Sequence, residues 1–196
     1  MKLYLTVIGI AMAAISLFNI LFELGSWYYV IAAVVWCTLL QFILDGLVAI
    51  TVNKMPNGWF YVYNSLFNVS DREIRLYKKL KVSCWKDKVW ELGGLGGFSK
   101  KTVKEPLNAE YVERFIIECN KGVLVHRVSY FIGFFGVLTL PAPYKISIAL
   151  PVALVNMILN VLPTLVLRSN TPTLKSLYER LKRKENAKKH TVVYNL

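Results

Sequence analysis

The chain has 196 residues, of which 55% are hydrophobic and 13% are aromatic. This composition excludes an ordinary soluble domain of the same size and predicts an all-α, polytopic membrane protein with about four transmembrane helices. The formal charge of +12 would suit a nucleic-acid-binding protein, but the basic residues flank apolar segments, so no nucleic-acid partner is expected. We expect one membrane domain over residues 1–196.

Two apolar runs near the N-terminus each predict a transmembrane helix. Residues 3–22 are almost continuously apolar, which is long enough to cross a hydrocarbon core of about 30 Å. The second span, residues 27–52, begins with the aromatic residues of an interfacial belt. Asp45 lies inside this span, where a functional carboxylate and a paired or snorkelling acid are both open interpretations.

Residues 53–122 form the only large extramembrane segment that the sequence predicts. Within it, residues 71–80 place apolar side chains among arginines and lysines at helical spacing, which is typical of a short amphipathic helix. Such a helix can lie on anionic lipid or be solvated, and both interpretations stay open. Asn108 predicts the N-cap of a further helix that carries Glu113 and Glu118.

The second half of the chain predicts spans over residues 123–140 and 146–167. In the basic tail, residues 168–196, the stretch 171–190 places apolar side chains at helical spacing among lysines and arginines, which predicts a basic surface helix. An even number of spans puts both termini and loop 53–122 on one side. The excess of lysine and arginine in these segments assigns that side to the cytoplasm.

Cysteine usage predicts neither disulfides nor a metal site. Cys37, Cys84 and Cys119 are single residues with no C-x-x-C pair and no histidine at ligand spacing. We therefore expect three reduced thiols, no metal and no cofactor.

Polar side chains at membrane depth are costly, so they mark the candidate site. Asn156 and Asn160 share one face of span four, where they suit either substrate binding or hydrogen bonds that hold helices together. His126 begins span three and is a candidate general base because imidazole titrates near neutral pH, although a structural histidine is the alternative. Glu113 or Glu118 is the candidate carboxylate that orients it.

Several short motifs point to one family. They are Trp85–Lys86–Asp87–Lys88, the turn at Gly97–Phe98–Ser99–Lys100–Lys101, residues 113–118 leading to His126, and Asn160 with Arg168 and Asn170. Over roughly residues 67–174 the chain resembles the glycosyl-4,4'-diaponeurosporenoate acyltransferase family of small bacterial membrane proteins. The resemblance implies transfer of a fatty acyl chain to a sugar hydroxyl of a glycosylated carotenoid.

We therefore expect a membrane acyltransferase acting on a hydroxyl of a glycolipid or glycosylated terpenoid acceptor in the bacterial cell (inner) membrane. Its partners would be membrane lipids, this acceptor and an acyl donor such as acyl-coenzyme A. The alternative is a non-enzymatic scaffold or lipid-binding partner of a biosynthetic enzyme.

The site residues follow from this expectation. His126 is expected to act as the base, with Glu113, Glu118, Asn160 and Arg168 around the same pocket. The residues expected to bind the acyl carbonyl, the anionic part of the donor or its carrier are Asn156, Asn160, Arg168, Asn170, Lys86, Lys88 and Lys100. Anionic lipid near the three lysines is the alternative to a phosphorylated carrier.

Overall fold

The computed structural model describes residues 2–89 and 103–193. These residues form helices and no strand, and four of the helices are long and apolar enough to cross a membrane. The all-α prediction with four candidate spans is therefore confirmed. Contacts group the chain into two compact units, the first formed by Met1–Lys54 with Leu124–Thr164 and the second by Met55–Val123 with Leu165–Leu196.

Seven α-helices follow one another along the described part of the chain. Their bounds are α1 (Lys2–Leu21), α2 (Trp27–Lys54), α3 (Asp71–Lys79), α4 (Val82–Trp85), α5 (Ala109–Ile132), α6 (Ala142–Tyr144) and α7 (Leu150–Val193). Short 3-10 helices occur at Asn57–Phe60, Ser65–Phe67, Lys86–Lys88 and Gly133–Thr139, and a π-helical turn at Lys145–Ala149 joins α6 to α7.

In the first unit, α1 and α2 pack against each other and against the irregular helical segments that follow α5. The core between them is apolar and consists of Val30, Ala33, Val34, Cys37, Leu140, Ile148, Ala149 and Val152. Cys37 is a buried free thiol in this core. Most of α1 is exposed in the protein itself, with only 6% of its apolar window buried. A helix that is apolar on all sides and exposed in this way suits lipid rather than water as its surroundings.

The link between α1 and α2 is held by close packing and one buried amide. A Cβ atom at Gly25 would collide with the Tyr144 hydroxyl group, so a larger residue there requires the Tyr144 side chain to move. Asn19 is fully buried, and its Nδ2 donates to the carbonyl oxygens of Ile15 at 2.8 Å and Ser147 at 3.0 Å. The bond to Ser147 joins α1 to the π-helical turn.

In the second unit, local hydrogen bonds define where the helices begin. Ser70 and Glu73 form a capping box at the start of α3, in which each side chain accepts a hydrogen bond from the other residue's backbone N–H. Asn108 accepts from the backbone N–H of Tyr111 at 3.1 Å, as its predicted N-cap role requires. Apolar side chains of α5 and α7, including Phe115 and Leu174, are buried in this unit.

Two helices are longer than the predicted spans. The helix predicted from Asn108 and residues 123–132 of span three form the single helix α5, whereas residues 133–139 of that span are 3-10 helical. Span four continues into the predicted tail helix as α7. Pro163 does not end α7. Its missing N–H leaves the carbonyl of Leu159 free of a helical partner, and this oxygen instead accepts from the Tyr4 hydroxyl at 3.4 Å. With 44 residues, α7 is about 66 Å long, so only part of it can lie within a hydrocarbon core of about 30 Å.

Candidate functional site

Three helices contribute polar side chains to one cluster within the first unit. α2 supplies Gln41 and Asp45, α5 supplies His126, and α7 supplies Asn156 and Asn160. On both α2 and α7 the two residues are four apart, so their side chains lie on one face of the helix. We call these five residues the His126 cluster.

The direct partner of the histidine in this cluster is an amide. His126 Nδ1 lies 2.8 Å from Asn160 Oδ1. Asn160 is 7% exposed, and its Nδ2 donates to Asp45 Oδ2 at 3.2 Å, to the Asn156 carbonyl at 3.1 Å and to Asn156 Oδ1 at 3.2 Å. All three of these partners are acceptors, so the nitrogen of the Asn160 amide must face them and its oxygen must face His126.

The orientation of the Asn160 amide determines the tautomer of the imidazole. Because Asn160 Oδ1 can only accept, the proton between it and His126 must reside on His126 Nδ1. In the neutral ring, Nε2 then carries the lone pair. A histidine held through Nδ1–H with its basic nitrogen at Nε2 is the arrangement that general-base catalysis in nucleophile-activating sites requires.

The cluster extends towards the end of α5 through a second amide pair. Asn156 Nδ2 donates to Gln41 Oε1 at 3.1 Å and lies 3.4 Å from Asp45 Oδ1, while Gln41 Nε2 donates to the Gly133 carbonyl at 2.8 Å. Gln41 is 4% exposed. A Cβ atom at Gly133 would lie 2.5 Å from Gln41 Oε1, so the absence of a side chain there makes room for the glutamine.

Sequence reasoning did not place Gln41 in the candidate site and left Asp45 undecided. The signal was present, since Gln41 and Asp45 repeat on α2 the four-residue spacing of Asn156 and Asn160 on α7. Matched polar pairs on two apolar helices predict that the helices pack with those faces together, because unsatisfied polar groups in hydrocarbon are costly.

In the second unit, Arg168 makes a two-pronged contact with Glu73. Arg168 Nε donates to Glu73 Oε1 at 2.9 Å, its Nη2 donates to Glu73 Oε2 at 2.7 Å, and Nη2 also reaches the Asn68 carbonyl at 3.0 Å. Arg168 is 4% exposed. Its remaining terminal nitrogen, Nη1, is buried and has no hydrogen-bond partner among the residues that the structure describes. Sequence reasoning missed Glu73, although Ser70-x-x-Glu73 has the form of a capping box.

The pair shifts the titration of the carboxylate. Burial alone would raise the pKa of Glu73, but hydrogen bonds from the Ser70 backbone, Arg168 and Tyr77, together with the charge of Arg168, lower the pKa below its ordinary value of 4.5. Glu73 is therefore ionised at neutral pH and balances the guanidinium charge. The role of Arg168 in binding the donor stays a prediction.

The other predicted site residues of the second unit have partners of their own. Glu113 Oε2 accepts from the Tyr178 hydroxyl at 3.0 Å, and Glu118 forms an ion pair with Lys121 at 3.5 Å. The expectation that either carboxylate orients His126 stays a prediction.

The predicted carrier-binding residues belong to the second unit as well. Lys86 Nζ lies 3.5 Å from Asn170 Oδ1, while Lys88 is exposed. Lys100 lies outside the described residues.

Comparison with known proteins gives one match. No curated protein and no solved structure matches the chain. A family model described as Glycosyl-4,4'-diaponeurosporenoate acyltransferase matches residues 56–180, a range that contains His126, Asn156, Asn160 and Arg168 and that begins after α2. Since the match covers more than half of the chain, this protein belongs to the glycosyl-4,4'-diaponeurosporenoate acyltransferase family.

Proposed function

We propose that the chain transfers a fatty acyl group to a hydroxyl of a glycolipid or glycosylated terpenoid acceptor in the membrane. The observation that supports this most directly is the 2.8 Å contact between His126 Nδ1 and Asn160 Oδ1, which assigns the imidazole lone pair to Nε2. Family membership supports acyl transfer as the reaction type. The apolar surroundings of the first unit support a membrane-embedded acceptor.

His126 Nε2 would remove the proton from the acceptor hydroxyl as its oxygen attacks the carbonyl carbon of an acyl thioester. The new carbon–oxygen bond forms, and collapse of the tetrahedral intermediate breaks the carbon–sulfur bond. The imidazolium then returns its proton to the departing thiolate, so the base is regenerated. The Nδ1–H bond to Asn160 would stabilise the imidazolium while the proton is held.

The donor would need basic groups for its anionic part. We propose Lys86, Lys88, Lys100, Arg168 and Asn170 for this role. Arg168 Nη1 has no hydrogen-bond partner among residues 2–89 and 103–193, which supports this role, because a buried guanidinium nitrogen without a hydrogen bond is costly unless a ligand accepts one. The charge of Arg168 is already balanced by Glu73, so its part would be a directed hydrogen bond rather than net charge.

Lipid analysis of a strain that lacks the gene tests the enzyme against the scaffold alternative. We expect the hydroxylated, unacylated precursor to accumulate and the acylated lipid to disappear, with both effects reversed by the wild-type chain. A His126→Ala chain present at the wild-type level should not reverse them, because the base is missing. A scaffold would still restore acylation when it carries this substitution, and that result would refute the enzymatic proposal.

We also propose that both termini and loop 53–122 lie in the cytoplasm. In a background without native cysteines, a membrane-impermeant thiol reagent applied from outside should label Ser26→Cys and Ala142→Cys. It should not label Lys79→Cys or Lys184→Cys, because segments rich in lysine and arginine stay inside. All four positions are exposed in the protein, so a missing label reports location rather than burial. The inverse labelling pattern would reverse the proposed orientation.

A further inference from the structure

We propose that Asp45 is a positioning residue of the His126 cluster, which fixes the imidazole tautomer through the amides of α7 without contacting the imidazole itself. The inference rests on the proposed function for its effect on catalysis, but its effect on the proton of His126 is independent of any reaction. Asp45 lies outside the residues matched by the family model.

The hydrogen bonds of the cluster have a direction that its two ends impose. At one end the Gly133 carbonyl can only accept, so Gln41 must direct its Nε2 towards it and its Oε1 towards Asn156. Asn156 must then present its nitrogen to Gln41, which leaves its oxygen for Asn160 Nδ2. The first end therefore orders the amides one after another.

Asp45 contacts both amides of α7 with the two oxygens of its carboxyl group. Its Oδ1 lies 3.4 Å from Asn156 Nδ2 and its Oδ2 lies 3.2 Å from Asn160 Nδ2. Carboxylate oxygens accept hydrogen bonds from amide N–H groups and repel amide oxygens. Asp45 therefore opposes any flip of Asn160 that would turn its nitrogen towards His126.

A flip of the Asn160 amide would change which nitrogen of His126 carries the proton. If Asn160 turned its Nδ2 towards His126, Nδ1 would have to accept, and the imidazole proton would move to Nε2. The ring would then have no lone pair at the nitrogen assigned to the base. An acidic side chain inside a membrane span is costly. Both oxygens of the Asp45 carboxyl group favour the same orientation of Asn160, whereas an amide, with one donor and one acceptor, would suit either orientation.

Neutralising the carboxylate should therefore mix the tautomers rather than eliminate one. An Asp45→Asn chain carries both a donor and an acceptor at this position, so it no longer discriminates between the two orientations of Asn160. The carbonyl and side-chain oxygens of Asn156 still favour the original orientation. More than half of the molecules then keep the active tautomer, so we expect the turnover number to fall by less than about 2-fold, in proportion to the share of the opposite tautomer.

Nitrogen NMR of histidine-labelled protein in detergent micelles measures the tautomer directly. The chain contains only two histidines, so a His190→Gln chain assigns the signals of His126. In the wild type we expect a protonated Nδ1 and an unprotonated Nε2, and in Asp45→Asn a measurable share of the opposite tautomer. Asp71→Asn, a matched change at an exposed position of α3, should leave the His126 signals unchanged.

An exchange variant keeps the test valid if Asp45→Asn folds poorly. In Asp45→Asn/Asn160→Asp the carboxylate stands beside the imidazole, where it can only accept, so the proton should return to Nδ1. Asp45→Asn with an unchanged His126 tautomer and unchanged turnover would overturn the proposal and leave Asp45 as a helix-joining residue. If the tautomer shifts in Asp45→Asn while the wild-type chain transfers no acyl group, the proposed function is refuted and the positioning role stands.

Discussion

Replacing His126 with alanine is expected to lower the rate of acyl transfer about 10²–10⁴-fold, the contribution typical of a positioned general base. The physical reason is the loss of the Nε2 lone pair, without which the acceptor hydroxyl must ionise unaided. The measurement is the turnover number of purified protein with an acyl thioester and a glycosylated terpenoid. His190→Ala removes the other histidine of the chain, so it is the matched control and should retain activity.

The expected loss must be separated from misfolding. His126 is half-buried, and in His126→Ala the Asn160 amide keeps its hydrogen bonds to Asp45 and Asn156. We expect the variant to insert in the membrane and to unfold within a few degrees of the wild type. A correctly inserted His126→Ala chain with wild-type turnover would remove the base assignment.

Much of the fold could be predicted because the length and composition of each apolar segment are enough to identify it as a helix. The apolar runs of α1 and α2 are long enough to span a bilayer and end at polar residues, so length and composition alone locate them. The continuity of α5 was not predictable from hydropathy. Its polar and apolar halves were assigned to different segments, although nothing in residues 109–132 breaks a helix.

The sequence predicted the polar residues of the candidate site but not which of them are in contact. Helical spacing places Asn156 and Asn160 on one face, but it does not say which helix that face meets. The partner Asp45 is 115 positions from Asn160, and Glu73 is 95 positions from Arg168. Contacts at such separations depend on tertiary packing rather than on local sequence, so the sequence indicated the polar residues and not their pairing.

The pairing of Arg168 with Glu73 leads to the second large expected effect, on stability rather than on chemistry. Arg168→Met should lower the free energy of unfolding by about 3 kcal/mol, the low end for breaking a buried ion pair, because Glu73 keeps 31% of its side chain exposed. For a chain of this length that corresponds to a fall in melting temperature of about 6–12 °C, measured in detergent micelles. Arg180→Met removes an exposed arginine from the same helix and should change the free energy by less than about 0.5 kcal/mol.

Lowering the pH should weaken the contribution of the Glu73–Arg168 pair to the free energy of unfolding. The folded pKa of Glu73 lies below its ordinary value of 4.5, so its contribution to stability is fully present above that value and is lost as the pH falls through the lowered folded pKa. Unfolding measured from neutral pH down to below pH 4 should therefore show the difference between wild type and Glu73→Gln shrinking on acidification. A difference that stays constant over this range, or an Arg168→Met chain that melts with the wild type, would mean that the contact contributes nothing to folding. With both results as expected, Arg168 has a structural role in the second unit whether or not its Nη1 also binds a donor.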